Sequence, residues 1–212
     1  MGREFDELFK EWAPTYDDTV MGNDVEYREV FRSYDQILDE VASRAAGTVL
    51  EFGVGTGNLT KRLIDWGYNV YGIEPSEEMR LIATEKIRGI RVKDGDFIDF
   101  PEMSEPINTI VSSYAFHHLT DLEKDKAISI YADMLKLGDK IVFADTVFEN
   151  EQAKLKIIDA SRSKGYFNLV RDLETEYYST IPLLGQMFKN NGFDVSFKQM
   201  NDFVWIIEAI KK

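Results

Sequence analysis

The sequence predicts an α/β fold in which a mostly parallel sheet is doubly wound by helices on both faces. Between Thr48 and Ala144, short apolar runs alternate with segments of helical periodicity. The first run leads into a glycine-rich turn, and only a short link separates the last two apolar runs. Such alternation is typical of βαβ units and hence of parallel strands. We expect the 212 residues, 44% of them hydrophobic, to form a single domain.

Helices are predicted ahead of the sheet, where residues 1–46 form an N-terminal cap. The apolar side chains that recur there at helical spacing make two stripes: Phe5, Leu8, Phe9 and Trp12, then Val30, Tyr34, Ile37, Leu38 and Val41. Pro14 is expected to end the first helix.

Five candidate strands follow in order: Thr48–Phe52, Asn69–Ile73, Ile90–Lys93, Ile107–Tyr114 and Lys140–Ala144. The helices predicted between them are Asn58–Trp66, Ser76–Arg88 with Ser76 as N-cap, and Leu122–Leu137. Because crossovers between parallel strands are right-handed, the carboxyl ends of these strands meet along one edge, where ligands bind.

The tail departs from this alternation. Residues 146–192 are predicted to be mainly helical and to lie over the ligand edge of the sheet. The candidate strands Phe193–Gln199 and Phe203–Ile210 are joined by three residues, which permit a hairpin but no helical crossover. One of these two strands must therefore run antiparallel to the rest.

Composition excludes several classes of function. Asp and Glu outnumber Lys and Arg by 38 to 25, and the net charge of −13 disfavours nucleic-acid and anionic-membrane partners. The absence of cysteine excludes disulfides and thiol chemistry, and two adjacent histidines make no His-rich site, so no metal is predicted. Without an apolar run of membrane length or a signal-peptide core, we expect a cytoplasmic protein.

The strongest local signal is the glycine loop in Glu51-Phe-Gly53-Val-Gly55-Thr-Gly57-Asn58. A tight strand–helix turn would explain the glycines alone. A dinucleotide fingerprint requires a third glycine where Asn58 stands, and the carboxylate of Glu51 would repel a diphosphate. The same carboxylate suits a ligand that carries an ammonium and a sulfonium, such as S-adenosylmethionine (SAM).

Two further strand ends carry acids. Glu74 ends the second strand, where it could accept hydrogen bonds from both hydroxyls of a ribose, although a surface glutamate beside a turn is the alternative. Asp96 could accept from an adenine amino group while the Phe97 backbone N–H donates to the ring. An ordinary turn aspartate is the competing interpretation.

Together these motifs resemble the class I SAM-dependent methyltransferases. The stretches 114–121, 143–150 and 201–210 resemble more narrowly the YrrT type of small bacterial methyltransferases. The resemblance implies a Rossmann-like sheet of seven strands with the last strand antiparallel, and SAM as cofactor. It also implies cofactor contacts, for which the candidate residues are Tyr16, Glu51, Gly53, Gly55, Gly57, Glu74, Asp96, Phe97 and Ser112.

The acceptor is expected to be a small molecule, because the chain is acidic and lacks the Asn/Asp-Pro-Pro-Tyr-type motif that families methylating nucleic acids or glutamine amides often carry. A non-catalytic binder of SAM or S-adenosylhomocysteine and a nucleotide-dependent oxidoreductase are the alternatives. The assembly is expected to be a monomer or homodimer.

Candidate catalytic groups are His117 and Asp145, each near the end of a strand. A histidine can act as a general base near neutral pH, but both histidines could instead pack against or cap the next helix. Because the sulfonium is already activated, methyl transfer needs a base only when the acceptor arrives protonated. Adjacent residues point in different directions, so at most one histidine is expected to face the site.

The segment Trp12-Ala-Pro-Thr-Tyr16-Asp17 resembles one found ahead of the core in many small-molecule methyltransferases. It could fold over the cofactor and exclude water, with Tyr16 against the methionyl part. The alternative is that Trp12 and Tyr16 only anchor the first helix to the core.

Overall fold

The computed structural model describes residues 12–212, and this part of the chain contains a seven-stranded sheet in the order β3-β2-β1-β4-β5-β7-β6. The strands are β1 Thr48–Phe52, β2 Asn69–Ile73, β3 Val92–Lys93, β4 Thr109–Ser113, β5 Lys140–Thr146, β6 Phe193–Gln199 and β7 Val204–Lys211.

Strand direction confirms the predicted fold class. β1 pairs in parallel with β2 and β4, and β4 pairs in parallel with β5. β7 lies between β5 and β6 and is antiparallel to both. The order reverses between β1 and β4, and in open α/β sheets such a reversal creates the crevice where ligands bind.

Helices connect and cover the strands. They are α1 Tyr16–Val20, α2 Tyr34–Arg44, α3 Asn58–Asp65, α4 Glu77–Lys86, α5 Asp121–Met134, α6 Glu151–Ser163, α7 Phe167–Thr175 and α8 Ile181–Asn190, with a 3₁₀ turn at Phe116–His118. Ser76 caps α4 as predicted, since its hydroxyl accepts from the Met79 N–H at 3.3 Å. Thr120 and Glu123 form a capping box that fixes the start of α5.

Two apolar cores form because successive strand residues point to opposite faces of the sheet. The first core lies between the sheet and α2 and includes Ile37, Val41, Val49, Val111 and Val142. The second lies on the other face, against α5, and includes Leu50, Ile110, Ile128, Tyr131 and Ile141. A parallel sheet covered on both faces explains why its strands appear as continuous apolar runs.

The N-terminal cap is less helical than predicted. Residues 21–33 form turns, and α2 begins only at Tyr34, after Ser33 with φ of 65°. Val30 and Phe31 are nevertheless buried, and the Phe31 ring packs edge-on to Tyr34 at 5.9 Å. The stripe therefore predicted the helix correctly from Tyr34 to Val41, whereas Val30 is buried from a turn. Phe5, Leu8 and Phe9 lie outside the described residues.

Helix length and composition also test for membrane spans. Across residues 12–212, no helix combines the length and the apolar character that crossing a bilayer requires. The assignment of the whole chain to one methyltransferase domain stays a prediction.

Candidate functional site

The glycine loop between β1 and α3 adopts a backbone that only glycine enters easily. Gly53 has φ of 68°, its N–H donates to the Ile73 carbonyl at 2.9 Å, and an added Cβ would lie 2.7 Å from the Cβ of Ala115. Gly55 has φ of 55°, and no atom of residues 12–212 lies within 4 Å of where its Cβ would be. The loop is thus tight on one side and leaves open space on the other.

Glu74 holds this loop in place. Its Oε2 accepts from the Gly55 N–H at 2.8 Å, and its Oε1 accepts from the Ser76 N–H at 2.9 Å. The carboxylate is 4% exposed and joins the carboxyl ends of β1 and β2. Each carboxylate oxygen has a second lone pair, so Glu74 can also accept from a ligand hydroxyl.

Asp96 organises the turn after β3. Its Oδ1 accepts from the N–H groups of Ile98 and Asp99, both at 2.9 Å. Phe97 stacks on Phe52 with 5.3 Å between ring centroids, and its carbonyl accepts from the Tyr131 hydroxyl at 2.8 Å. The turn therefore presents a carboxylate and an aromatic ring from a fixed backbone.

These groups line a cavity of about 660 Å³ at the carboxyl ends of the strands, which we call the glycine-loop cavity. Six of the nine predicted cofactor residues line it: Tyr16, Gly53, Gly55, Glu74, Asp96 and Phe97.

The other three, Glu51, Gly57 and Ser112, do not line the cavity. Glu51 is 1% exposed and accepts from the Thr60 hydroxyl at 2.6 Å. Burial, with the charge of Glu74, raises its pKa to about 8 against the opposing Thr60 hydrogen bond. Gly57 faces side chains of α4 and its flank, and the Ser112 hydroxyl is buried below Gly53. Their places indicate support of the loop from behind.

A second cavity, of about 590 Å³, adjoins the first, and we call it the aromatic cavity. Its aromatic lining comes from the N-terminal segment, the end of β4 and the region after β5: Trp12, Tyr16, Tyr27, Phe31, Tyr114, Tyr178 and Phe203. Tyr16, Tyr114 and His118 line both cavities, and we call these three residues the junction. The junction is the wall across which ligands in the two cavities would meet.

Tyr114 has two unusual properties. Its φ of 53° is a left-handed conformation that costs a bulky residue energy, and such strain is typical of functional sites. Its hydroxyl is buried and finds no hydrogen-bond partner within the described part of the chain. Burial raises the pKa of this hydroxyl well above its usual value, so it stays protonated and able to donate. In the sequence, Tyr114 was notable only as the first residue of a stretch that resembles the YrrT type, and not as a site residue.

His117 lies between two carboxylates. The ring Nδ1 of His117 is 2.5 Å from Oδ1 of Asp145, and the ring Nε2 is 3.1 Å from Oε2 of Glu176. The backbone N–H of His117 donates to Oδ2 of Asp145 at 2.9 Å. Burial disfavours the charged ring, but Asp145 and Glu176 outweigh it and raise the pKa of His117 to about 10. A ring that is already protonated at neutral pH cannot accept a proton.

His118 has the opposite character. Burial, together with the adjacent charge of His117, lowers its pKa to about 3, so its ring is neutral. Both histidines line the aromatic cavity, contrary to the expectation that at most one faces the site, while Asp145 lines neither of the two cavities. The two rings pack against each other, with 4.2 Å between their centroids.

The histidines also bear on metal binding. His117, His118 and Glu176 each place one ligand atom within 4.8 Å of the others, a spacing that a metal ion could bridge. Because metal ligation needs a deprotonated imidazole, the raised pKa of His117 favours a proton over a metal there.

Asp17 attaches the N-terminal segment to the glycine loop. Its Oδ1 accepts from the Thr56 hydroxyl at 2.7 Å and the Asn58 amide at 3.0 Å, and its Oδ2 accepts from Lys86 at 2.7 Å. These bonds hold α1 against the glycine loop and so fix the place of Tyr16 in the junction. Sequence reasoning used Asn58 only as an argument against a dinucleotide, and no pattern connected it to Asp17.

Comparison with known proteins identifies the family of this chain. A family model described as a methyltransferase domain matches residues 49–138. The uncharacterized methyltransferase YrrT of Bacillus subtilis is 57% identical over 213 aligned residues, which cover all of both chains. An uncharacterized methyltransferase of Geobacillus is also 57% identical over the full length of both chains.

Solved structures share the fold at low identity. A magnesium protoporphyrin IX methyltransferase of Synechocystis with bound SAM is 16% identical, with a TM-score of 0.63 over 88% of this chain and 84% of that one. A SAM-dependent methyltransferase of Thermotoga maritima, described as a possible histamine N-methyltransferase, is 18% identical, with a TM-score of 0.67 over 98% of each chain. Identity this low shows the fold alone. The full-length identity to YrrT shows more, and the chain belongs to the bacterial methyltransferase family that includes YrrT.

Proposed function

We propose that the protein transfers the methyl group of SAM to a small-molecule acceptor. The observation that carries this proposal is the pair of adjoining cavities that share Tyr16, Tyr114 and His118 as a wall. A group-transfer enzyme needs a donor site and an acceptor site that meet at one point, and the junction supplies that point.

The glycine-loop cavity is the proposed donor site. Glu74 would accept from the ribose hydroxyls, Asp96 and Phe97 would hold the adenine, and the open space above Gly55 would take the methionyl part. A fold neighbour with bound SAM supports the choice of cofactor. Asn58 in place of a third glycine argues against a nicotinamide dinucleotide.

The aromatic cavity is the proposed acceptor site. Methyl transfer from a sulfonium is an in-line displacement, so the enzyme contributes mainly alignment and exclusion of water. Positioning of this kind can contribute up to roughly 7–11 kcal/mol to lowering the barrier. The N-terminal segment that Asp17 holds against the glycine loop would keep water out.

The geometry favours His118 and Tyr114 over His117 as the groups that meet the acceptor. His118 is neutral at the junction, and the Tyr114 hydroxyl has a hydrogen bond to donate. His117 and Asp145 are positioning residues in this proposal, because their ion pair fixes the turn that carries His118.

The test combines binding with turnover. Calorimetry should show one molecule of SAM or S-adenosylhomocysteine per chain and no heat with NAD. Methyl-labelled SAM incubated with a fractionated metabolite extract should yield a labelled product together with S-adenosylhomocysteine.

A matched pair of variants then locates the acceptor site. Tyr114→Phe should lower turnover and leave S-adenosylhomocysteine affinity unchanged, while Tyr71→Phe, far from the junction on β2, should behave like wild type. Binding without any turnover would instead identify a non-catalytic SAM-binding protein.

A further inference from the structure

The aromatic cavity carries two carboxylates and no matching cation. Asp172 and Glu176 line it, and no lysine or arginine among residues 12–212 does. Glu176 is already paired, since its Oε2 lies 3.1 Å from Nε2 of His117 and accepts from the Tyr178 hydroxyl at 2.7 Å. The charge of His117 is therefore engaged by Asp145 and Glu176, and Asp172 remains to be neutralised.

Asp172 is 8% exposed, and its own partners compensate its charge poorly. The Tyr27 hydroxyl donates to Oδ2 but carries no charge. The Nε of Arg171 lies 3.3 Å from Oδ1, but the Arg171 side chain is 62% exposed and so belongs to the surface. Exposed ion pairs contribute little, so a cation inside the cavity would stabilise this carboxylate more. In agreement, burial raises the pKa of Asp172, and the charge of Glu176 adds to the effect.

The aromatic side chains that line the cavity would also attract a cation bound beside Asp172. Trp12 and Tyr27 meet edge to face at 6.1 Å, and Phe31 packs against Tyr114 at 5.0 Å. Aromatic faces attract cations, most strongly where water is excluded. An anionic acceptor would instead meet two carboxylates, because the one positive ring in the lining already has two negative partners.

We propose that the acceptor carries an ammonium group that pairs with Asp172, and an apolar or aromatic body that packs on Tyr27 and Phe31. The proposal rests on the proposed function in one respect, namely that the aromatic cavity is the acceptor site. It concerns recognition, so the methylated atom is whichever acceptor atom reaches the junction.

Three probes of similar shape test the charge preference. The full-length protein, saturated with S-adenosylhomocysteine, is titrated by calorimetry with 2-phenylethylamine, 2-phenylethanol and 3-phenylpropionate. We expect the amine to bind at least roughly tenfold more tightly than the alcohol, which corresponds to about 1.4 kcal/mol, and the acid not to bind. Equal affinities for amine and alcohol, preference for the acid, or no binding of the amine would overturn the proposal.

Variants assign the preference to one carboxylate. Asp172→Asn should abolish the advantage of the amine and leave alcohol affinity within about twofold. Asp194→Asn, which removes an exposed charge on β6, should keep the advantage and controls for net charge. An unchanged amine preference in Asp172→Asn would overturn the assignment, and the wild-type comparison still decides the charge preference if that variant fails to fold.

Failure of this proposal and failure of the proposed function are distinguishable. The titration with S-adenosylhomocysteine, done first in the same cell, tests the cofactor independently of the probes. Cofactor binding with no amine preference would remove only the acceptor class. Absence of cofactor binding would remove the proposed function, and the probes titrated into the unliganded protein would then decide the charge preference of the cavity alone.

Discussion

Replacing His117 with glutamine tests whether this residue is a buried cation or a base. His117→Gln keeps a polar group but removes the charge between Asp145 and Glu176. The pKa of His117 rises from 6.5 to about 10 in the folded protein, which corresponds to about 5 kcal/mol in favour of the charged form. Breaking a buried ion pair by removing one partner costs about 3–5 kcal/mol. We expect the free energy of unfolding at pH 7 to fall by about 3–5 kcal/mol.

The stability that charged His117 contributes should fall as the pH rises. Because the folded pKa lies above the unfolded value, the stabilisation is fully present below pH 6.5 and is lost as the pH rises towards 10. Urea unfolding followed by circular dichroism should therefore show a larger gap between wild type and His117→Gln at pH 6 than at pH 9.

His118→Gln is the matched control. The pKa of His118 is lowered to about 3, so its neutral burial contributes stability above pH 6.5 that is lost as the pH falls towards 3. The gap between wild type and this variant should shrink on acidification, opposite to the trend for His117. If His117→Gln lowers the free energy of unfolding by less than about 1 kcal/mol, or by an amount independent of pH, His117 is not a buried cation between Asp145 and Glu176. His117 would then again be a candidate base.

Three other changes test the cofactor side. Glu74→Gln should weaken SAM binding by about 1.5–3 kcal/mol through the loss of charged hydrogen bonds, and equal affinity at equal melting temperature would contradict this. Gly53→Val should abolish SAM binding and lower the free energy of unfolding by about 1–3 kcal/mol. The reason is that the new Cβ would lie 2.7 Å from the Cβ of Ala115, on a backbone with φ of 68°. Normal SAM binding by calorimetry would contradict this prediction. Hydrogen exchange in residues 12–22 should slow when S-adenosylhomocysteine is added, because Tyr16 lines the donor cavity, and Asp17→Ala should remove much of that protection. Identical exchange with and without ligand would leave this segment only an anchoring role.

The sequence predicted those parts of the site that depend on strand order. Glu74 and Asp96 lie at strand ends, and parallel register brings such ends to one edge whatever the helices between them do. Even the place of Glu51 follows from local rules. Glu51 lies two residues after Val49 in β1, so both side chains point to the same face of the sheet. On that face the Thr60 hydroxyl donates to the Glu51 carboxylate.

The rest of the site depends on tertiary packing. Asp17 reaches Thr56 across 39 residues, and Glu176 reaches His117 only because α7 folds back over the edge of the sheet. Apolar periodicity predicts which face of a helix or strand is buried, but it does not predict where a segment made of turns packs on the fold. Apolar spacing around Val30 predicted a helix for the same reason, since turns can bury the same side chains.

The hairpin at the end of the sheet bears on how the protein is made. β7 pairs with β5 over seven residues, from Lys140 with Ile210 to Thr146 with Val204, and with β6 on its other side. During synthesis, β5 must keep an unpaired apolar edge until residues 204–211 have emerged, and such an edge is a template for aggregation. A premature stop before Val204 would remove an interior strand, whereas loss of Val92–Lys93 at the opposite edge would remove only a two-residue strand. We therefore expect nascent chains of this protein to aggregate most readily after β5 has emerged and before β7 has paired with it.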